Sequence, residues 1–142
     1  MKLETLDFGG DCVVAGVAQY DGSHTSDGWT HYAWTVTLSC GACSIAVPYR
    51  MGTAHYTVKR AFLGETRVPK PPTVAEVLYS LTLEGYAADQ SFAEWCGDMG
   101  ELVDSRKALD TYLQCQESGH KMRKLLRRDC QRFALWAQEQ GL

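Results

Sequence analysis

The chain has 142 residues, 45% of them apolar and 11% aromatic, enough to build a core, and its length fits one domain. A net charge of −3 and a sequence pI near 5.8 exclude the overall basic excess of a generic nucleic-acid or membrane-surface binder. The opening MKLETLDFGGDC lacks an apolar h-region, and no run approaches the ~18 apolar residues that cross a bilayer. A cytoplasmic protein with no membrane partner is therefore expected, its six cysteines reduced.

The first half reads as strands. DCVVAGVAQY (11–20) is β-branched and aromatic, and the polar, glycine-punctuated DGSHTSDG (21–28) reads as a loop. WTHYAWTVTLSC (29–40) alternates, with Tyr32, Trp34, Val36 and Leu38 on one face and His31, Ala33, Thr35 and Thr37 on the other. The first of these faces suits a sheet core better than a base-stacking platform. SIAVPYR (44–50) is its expected hairpin partner, with Pro48 pointing to an edge strand because proline cannot donate to the ladder. AHYTVKRAF (54–62) reads as a further strand, and PKPP (69–72) as a connector.

The second half reads as helices. Thr73 and Glu76 form a capping box ahead of Val74, Val77, Leu78 and Leu81, and Gly85 is placed to stop that helix. A second box, Ser91 to Glu94, opens a short helix whose Phe92, Trp95, Cys96 and Met99 share a face, and Gly100 ends it. From Asp104 or Ser105 a stripe runs through Ala108, Tyr112, Cys115, Gly119, Met122, Leu126, Cys130, Phe133 and Ala137. One helix over ~34 residues would be ~50 Å long, too long for a domain of this size, so a break is expected at Ser118-Gly119. The fold class predicted is α+β. A single domain over 1–142 places an N-terminal antiparallel sheet (1–68) against three or four C-terminal helices (73–139).

Cys40-Gly41-Ala42-Cys43 is the stretch that first suggests chemistry. One reading makes the two thiols half of a zinc site completed by Cys12 and His55, or by His31; a single C-x-x-C falls short of the paired signature of a zinc ribbon. A thioredoxin-like pair would sit where a strand feeds a helix, whereas this one lies between two strand patterns. The reading favoured by the flanking alternation is a two-residue turn, with glycine first as type II′ requires and the cysteines facing each other. No nucleophile elbow accompanies the four histidines, and no phosphate-binding glycine loop is present. Neither enzyme activity nor a cofactor is expected.

Charge is distributed unevenly. Between Glu76 and Glu117 lie nine acidic residues (Glu76, Glu84, Asp89, Glu94, Asp98, Glu101, Asp104, Asp110, Glu117) and two basic ones, Arg106 and Lys107. Lys121, Arg123, Lys124, Arg127, Arg128 and Arg132 follow, against Asp129. Such runs are commonly solvated helix faces. The acidic run also suits a basic, nucleic-acid-binding surface, whose phosphates it would imitate. Glu94, Asp98, Glu101 and Asp104 are the first choices there. The basic run, through Arg123, Lys124, Arg127 and Arg128, suits phosphates, an acidic partner helix or a homodimer interface.

PPTVAEVLYSL, FAEWCGDMG and DSRKALDTYLQCQ, spread over roughly residues 68–126, resemble a family of small proteins encoded in bacteriophage and prophage genomes. The W-x-V-T-L strand and Met51-Gly52 match more loosely, and Cys40-Gly41-Ala42-Cys43 departs from the family's pattern. The resemblance carries no catalytic residue. It implies a phage or mobile-element accessory protein that binds a host protein or nucleoprotein complex such as a CRISPR effector, with anti-CRISPR or other counter-defence activity as its sharpest form. Direct nucleic-acid binding and a zinc-stabilised interaction module are the alternatives.

Overall fold

The alternation along WTHYAWTVTLSC organises the sheet. In the computed structural model, which describes residues 3–9, 13–26, 28–54, 62–63, 68–127 and 129–142, Tyr32, Trp34, Val36 and Leu38 are buried as that pattern requires. They lie on β3 (Trp29–Cys40), which pairs with β2 (Val14–Ser26) and β4 (Cys43–Ala54). A short β1 (Leu3–Leu6) completes an antiparallel sheet of order β1-β2-β3-β4. β4 is an edge strand, so Pro48, opposite Thr35, sits where a missing N–H costs no inner ladder bond. Cys40 faces Cys43 across Gly41-Ala42. Gly41 has φ +62° and Ala42 is not among the positive-φ residues, the pattern of the expected type II′ turn.

One expectation in this half is corrected, and a second falls mostly outside the described residues. The stretch 21–26 is strand, because β3 supplies it with a ladder from Trp29 to Ala33 despite its turn-like composition; a register shift between Tyr20 and Gly22 absorbs the irregularity. The strand expected over 54–62 lies mostly outside the described residues. Only Ala54, which ends β4, and Phe62 and Leu63 of β5 (Phe62–Leu63), paired with β6 (Val68–Pro69), belong to described strands.

The helices among the described residues are α1 (Val74–Thr82), α2 (Phe92–Met99), α3 (Arg106–Leu126) and α4 (Asp129–Glu139). The fold is α+β. Thr73 and Glu76 close the capping box of α1 reciprocally. At α2, Ser91 accepts from the Glu94 N–H, and the Glu94 carboxylate accepts from the Ser91 hydroxyl in place of the backbone bond of a full box. Ser105 caps α3 by accepting from the Ala108 N–H. Glu4 of β1 accepts from the Val74 N–H at 3.2 Å, fixing the start of α1 on the sheet. A Cβ at Gly16 would lie 2.5 Å from Val74 Cγ2, so only glycine lets α1 come this close to β2.

The helix break falls at Arg127, with φ +50°, and not at Ser118-Gly119. Both of the latter are buried within α3. Ser118 Oγ lies 2.8 Å from the Gln114 carbonyl and 3.1 Å from that of Ala46 on β4. Packing on the sheet keeps that turn helical. The stripe is otherwise as expected, with Ala108, Tyr112, Cys115, Met122, Leu126, Phe133 and Ala137 all buried.

Candidate functional site

Helix α2 stops at Gly100, whose left-handed backbone (φ +68°) no side chain adopts without strain. Ser105 starts α3, leaving Glu101-Leu102-Val103-Asp104 as the whole connection. Leu102 is 71% and Val103 63% exposed, more than any other large apolar residue described. An aliphatic pair in water on a connection of four residues is unfavourable unless something covers it.

The connection is anchored at its first residue and just before it. Arg50 on β4 places Nη1 2.6 Å from Glu101 Oε1, with the two side chains only 14% and 21% exposed. His24 on β2 places Nε2 3.2 Å from the Gly100 carbonyl; a carbonyl can only accept, so that nitrogen carries the proton. The His24 ring stacks on His31, with centroids 5.0 Å apart. His31 is buried, and its Nδ1 has no hydrogen-bond partner among the described residues. Beside these anchors lies a cleft of about 270 Å³ lined by Asp21, His24, Arg50, Glu101, Ser105 and Lys107, among others. Its two carboxylates offset its two permanent cations, so it selects no ligand charge.

Burial pushes the His31 pKa below its ordinary 6.5, the His24 and Arg50 charges push the same way, and Glu101 opposes them. A lowered imidazole pKa means that the unfolded chain binds the proton more readily than the folded one. The stability from neutral His31 is therefore complete above pH 6.5 and is lost as pH falls from there through the folded-state value. The melting temperature is expected to drop below pH 6.5, and His31→Phe, which cannot titrate, is expected to flatten that part of the profile. Thermal melts followed by circular dichroism from pH 8 to pH 5 check this; parallel profiles for the two proteins would refute it.

The structure treats the four expected acidic residues differently. Glu94 and Asp98 are exposed, one turn apart on α2, and Asp104 is exposed at the end of the connection. Asp98 accepts from Gln90 Nε2 at 2.7 Å. Glu101 is an anchor, held by Arg50 rather than offered to solvent. Sequence reading missed Leu102 and Val103, whose signal was available: two adjacent aliphatics between helix stop and helix start, where polar residues are the rule. It also missed His24, His31 and Arg50 as supports.

The expected basic residues that are described divide between two places. Arg123 is half-buried, 3.9 Å from Asp89. Lys124 and Arg127 line a separate recess with Lys121, and Arg128 lies outside the described residues. In the Cys40–Cys43 pair on which the zinc reading rested, Cys40 is disulfide-bonded, contrary to the reduced state expected, while Cys43 is an exposed free thiol. Two thiolates are thus not available to one ion. Cys12 and His55 lie outside the described residues, among which no group of three or more metal-ligating side chains occurs. Tyr32 and Trp34 are core residues, whereas Trp29 is 48% exposed.

No protein-family model, curated protein or solved structure matches the chain. No helix among the described residues is long and apolar enough to cross a membrane.

Proposed function

We propose that this is a non-enzymatic accessory protein of a bacteriophage or other mobile element, acting in the host bacterial cytoplasm. It binds and inhibits a host macromolecular complex, most sharply a CRISPR effector at its nucleic-acid-binding surface. The supporting observation is the exposed Leu102-Val103 pair on an anchored connection between acidic residues. Acidic residues alone are what any solvated helix face carries. Aliphatic residues among them match the centre-and-rim arrangement of interfaces, in which apolar side chains fill a desolvated seat and charges around it steer encounter and exclude wrong partners. The partner surface that fits is basic with an apolar depression. Anchoring by Arg50 and His24 lowers the ordering cost on binding.

The test is inhibition of DNA binding by a panel of purified CRISPR effector complexes. The wild-type protein is expected to block at least one of them. Leu102→Asp with Val103→Asp is expected to weaken inhibition by about 1,000-fold, as two hot-spot losses of about 2 kcal/mol each would. Reversing Glu94, Asp98 and Asp104 to lysine is expected to slow association and remove its salt dependence. Loss of inhibition on reversing Lys124 and Arg127, with none on altering the connection, would reject the acidic surface in favour of the basic one.

A further inference from the structure

The recess at the other end of α3 has a composition that the proposed partner surface does not explain. It occupies about 470 Å³, within the range of small-ligand sites, between the β3–β4 turn and the last turn of α3. Half-buried Ile45 and Leu125 supply its apolar lining, and Lys121, Lys124 and Arg127 its cations. Lys121 is paired with Glu117 at 3.0 Å. Lys124 and Arg127 have no carboxylate within ion-pair distance among the described residues. Two cations without an ion-pair partner among the described residues thus stand beside a half-buried apolar lining, so charge and apolar surface are both left partly unsatisfied at one place.

Arg127 is held there at a cost. Its backbone lies at φ +50°, ψ −115°, a region that a side chain normally avoids, and such strain collects at ligand clamps and switch points. Glycine would end the helix without that strain, yet the position carries a guanidinium that lines the recess. Cys43, exposed and unoxidised, lines the same recess.

We infer that this recess binds a small amphipathic carboxylate of the fatty-acid class, its hydrocarbon chain on Ile45 and Leu125 and its carboxylate between Lys124 and Arg127. The apolar lining demands a hydrocarbon body, and the unpaired cations demand one anionic head. A nucleic-acid backbone, with its run of charges and no apolar body, satisfies only half of the site.

Decanoate is the probe and decanol its uncharged control. Decanoate is expected to displace a fluorescent anilinonaphthalene sulfonate from the protein and to slow alkylation of Cys43 by a maleimide, read by peptide mass spectrometry, whereas decanol does neither at equal concentration. Lys124→Glu and Arg127→Glu are each expected to weaken decanoate by about tenfold, the loss of one charge-assisted contact. Arg127→Gly separates binding from folding, since relieving a positive φ raises the melting temperature while removal of the cation lowers affinity. Equal effects of decanol and decanoate, unchanged affinity in the charge variants, or a Cys43 alkylation rate indifferent to decanoate would each overturn the assignment. Inhibition assays on the Leu102 and Val103 variants do not bear on it, because the two surfaces lie at opposite ends of α3.

Discussion

Trp95→Ala is expected to lower the unfolding free energy by about 3–5 kcal/mol, the range for truncating a buried aromatic. Trp95 is the largest fully buried side chain among the described residues. Its ring lies 5.7 Å from that of Tyr112 on α3, and Phe92 approaches the same tyrosine at 5.4 Å. Tyr112 in turn donates to the Gln90 carbonyl just before α2 and accepts from Gln116. Helix α2 has eight residues, too few to persist alone in water, so packing of Trp95 and Phe92 is what keeps it helical. Its loss would also release the Gly100 stop and the connection beyond it. Urea titration read by both tryptophan fluorescence and circular dichroism measures the effect. Trp29→Ala, at a half-exposed site, is the matched control and is expected to stay within about 0.5 kcal/mol of wild type. Equal costs for the two would mean that α2 is not packed as described.

What was legible in the residues was what repeats locally. Period-two alternation located β3, and the Gly41-Ala42 turn set its register with β4. Capping residues marked the starts of α1, α2 and α3, and a stripe with spacings of three and four marked the buried face of α3 and α4. The misses share a cause, which is that distant contacts override local composition. Asp21 to Ser26 look like a loop and become strand because β3 is there to pair with. Ser118-Gly119 look like a break and stay helical where Ser118 bonds the Ala46 carbonyl and Gly119 packs near Leu81. β1 has four residues, too short for a period to show. At the candidate site the acids were legible as a charge run, but the anchors were not. Arg50 and Glu101 are 51 positions apart, and His24 and Gly100 are 76 apart. No windowed pattern relates residues at such separations.

Arg50→Ala is the variant that tests the link between those anchors and function, with an expected cost of about 1–3 kcal/mol from leaving a carboxylate largely out of water without its cation. The value sits below that for a fully buried pair because both side chains keep some solvent contact. Glu101→Gln removes the stranded charge and is expected to recover part of the loss in the Arg50→Ala background. That rescue distinguishes an uncompensated charge from lost packing of the arginine stem. The exposed Arg106–Asp110 pair, 3.9 Å apart with side chains 90% and 68% exposed, is the contrasting case, and a double-mutant cycle there is expected to give no measurable coupling. Amide hydrogen exchange in Arg50→Ala is expected to rise over residues 101–105 before it rises in β3, because the connection loses its tether while the sheet retains its ladder. Binding to an inhibited complex should weaken as well, although Arg50 contacts no partner in the proposed interface, since the free connection must then be ordered at the moment of association. If exchange rises while inhibition holds at wild-type strength, Leu102 and Val103 dock without pre-ordering and the ion pair serves the fold alone.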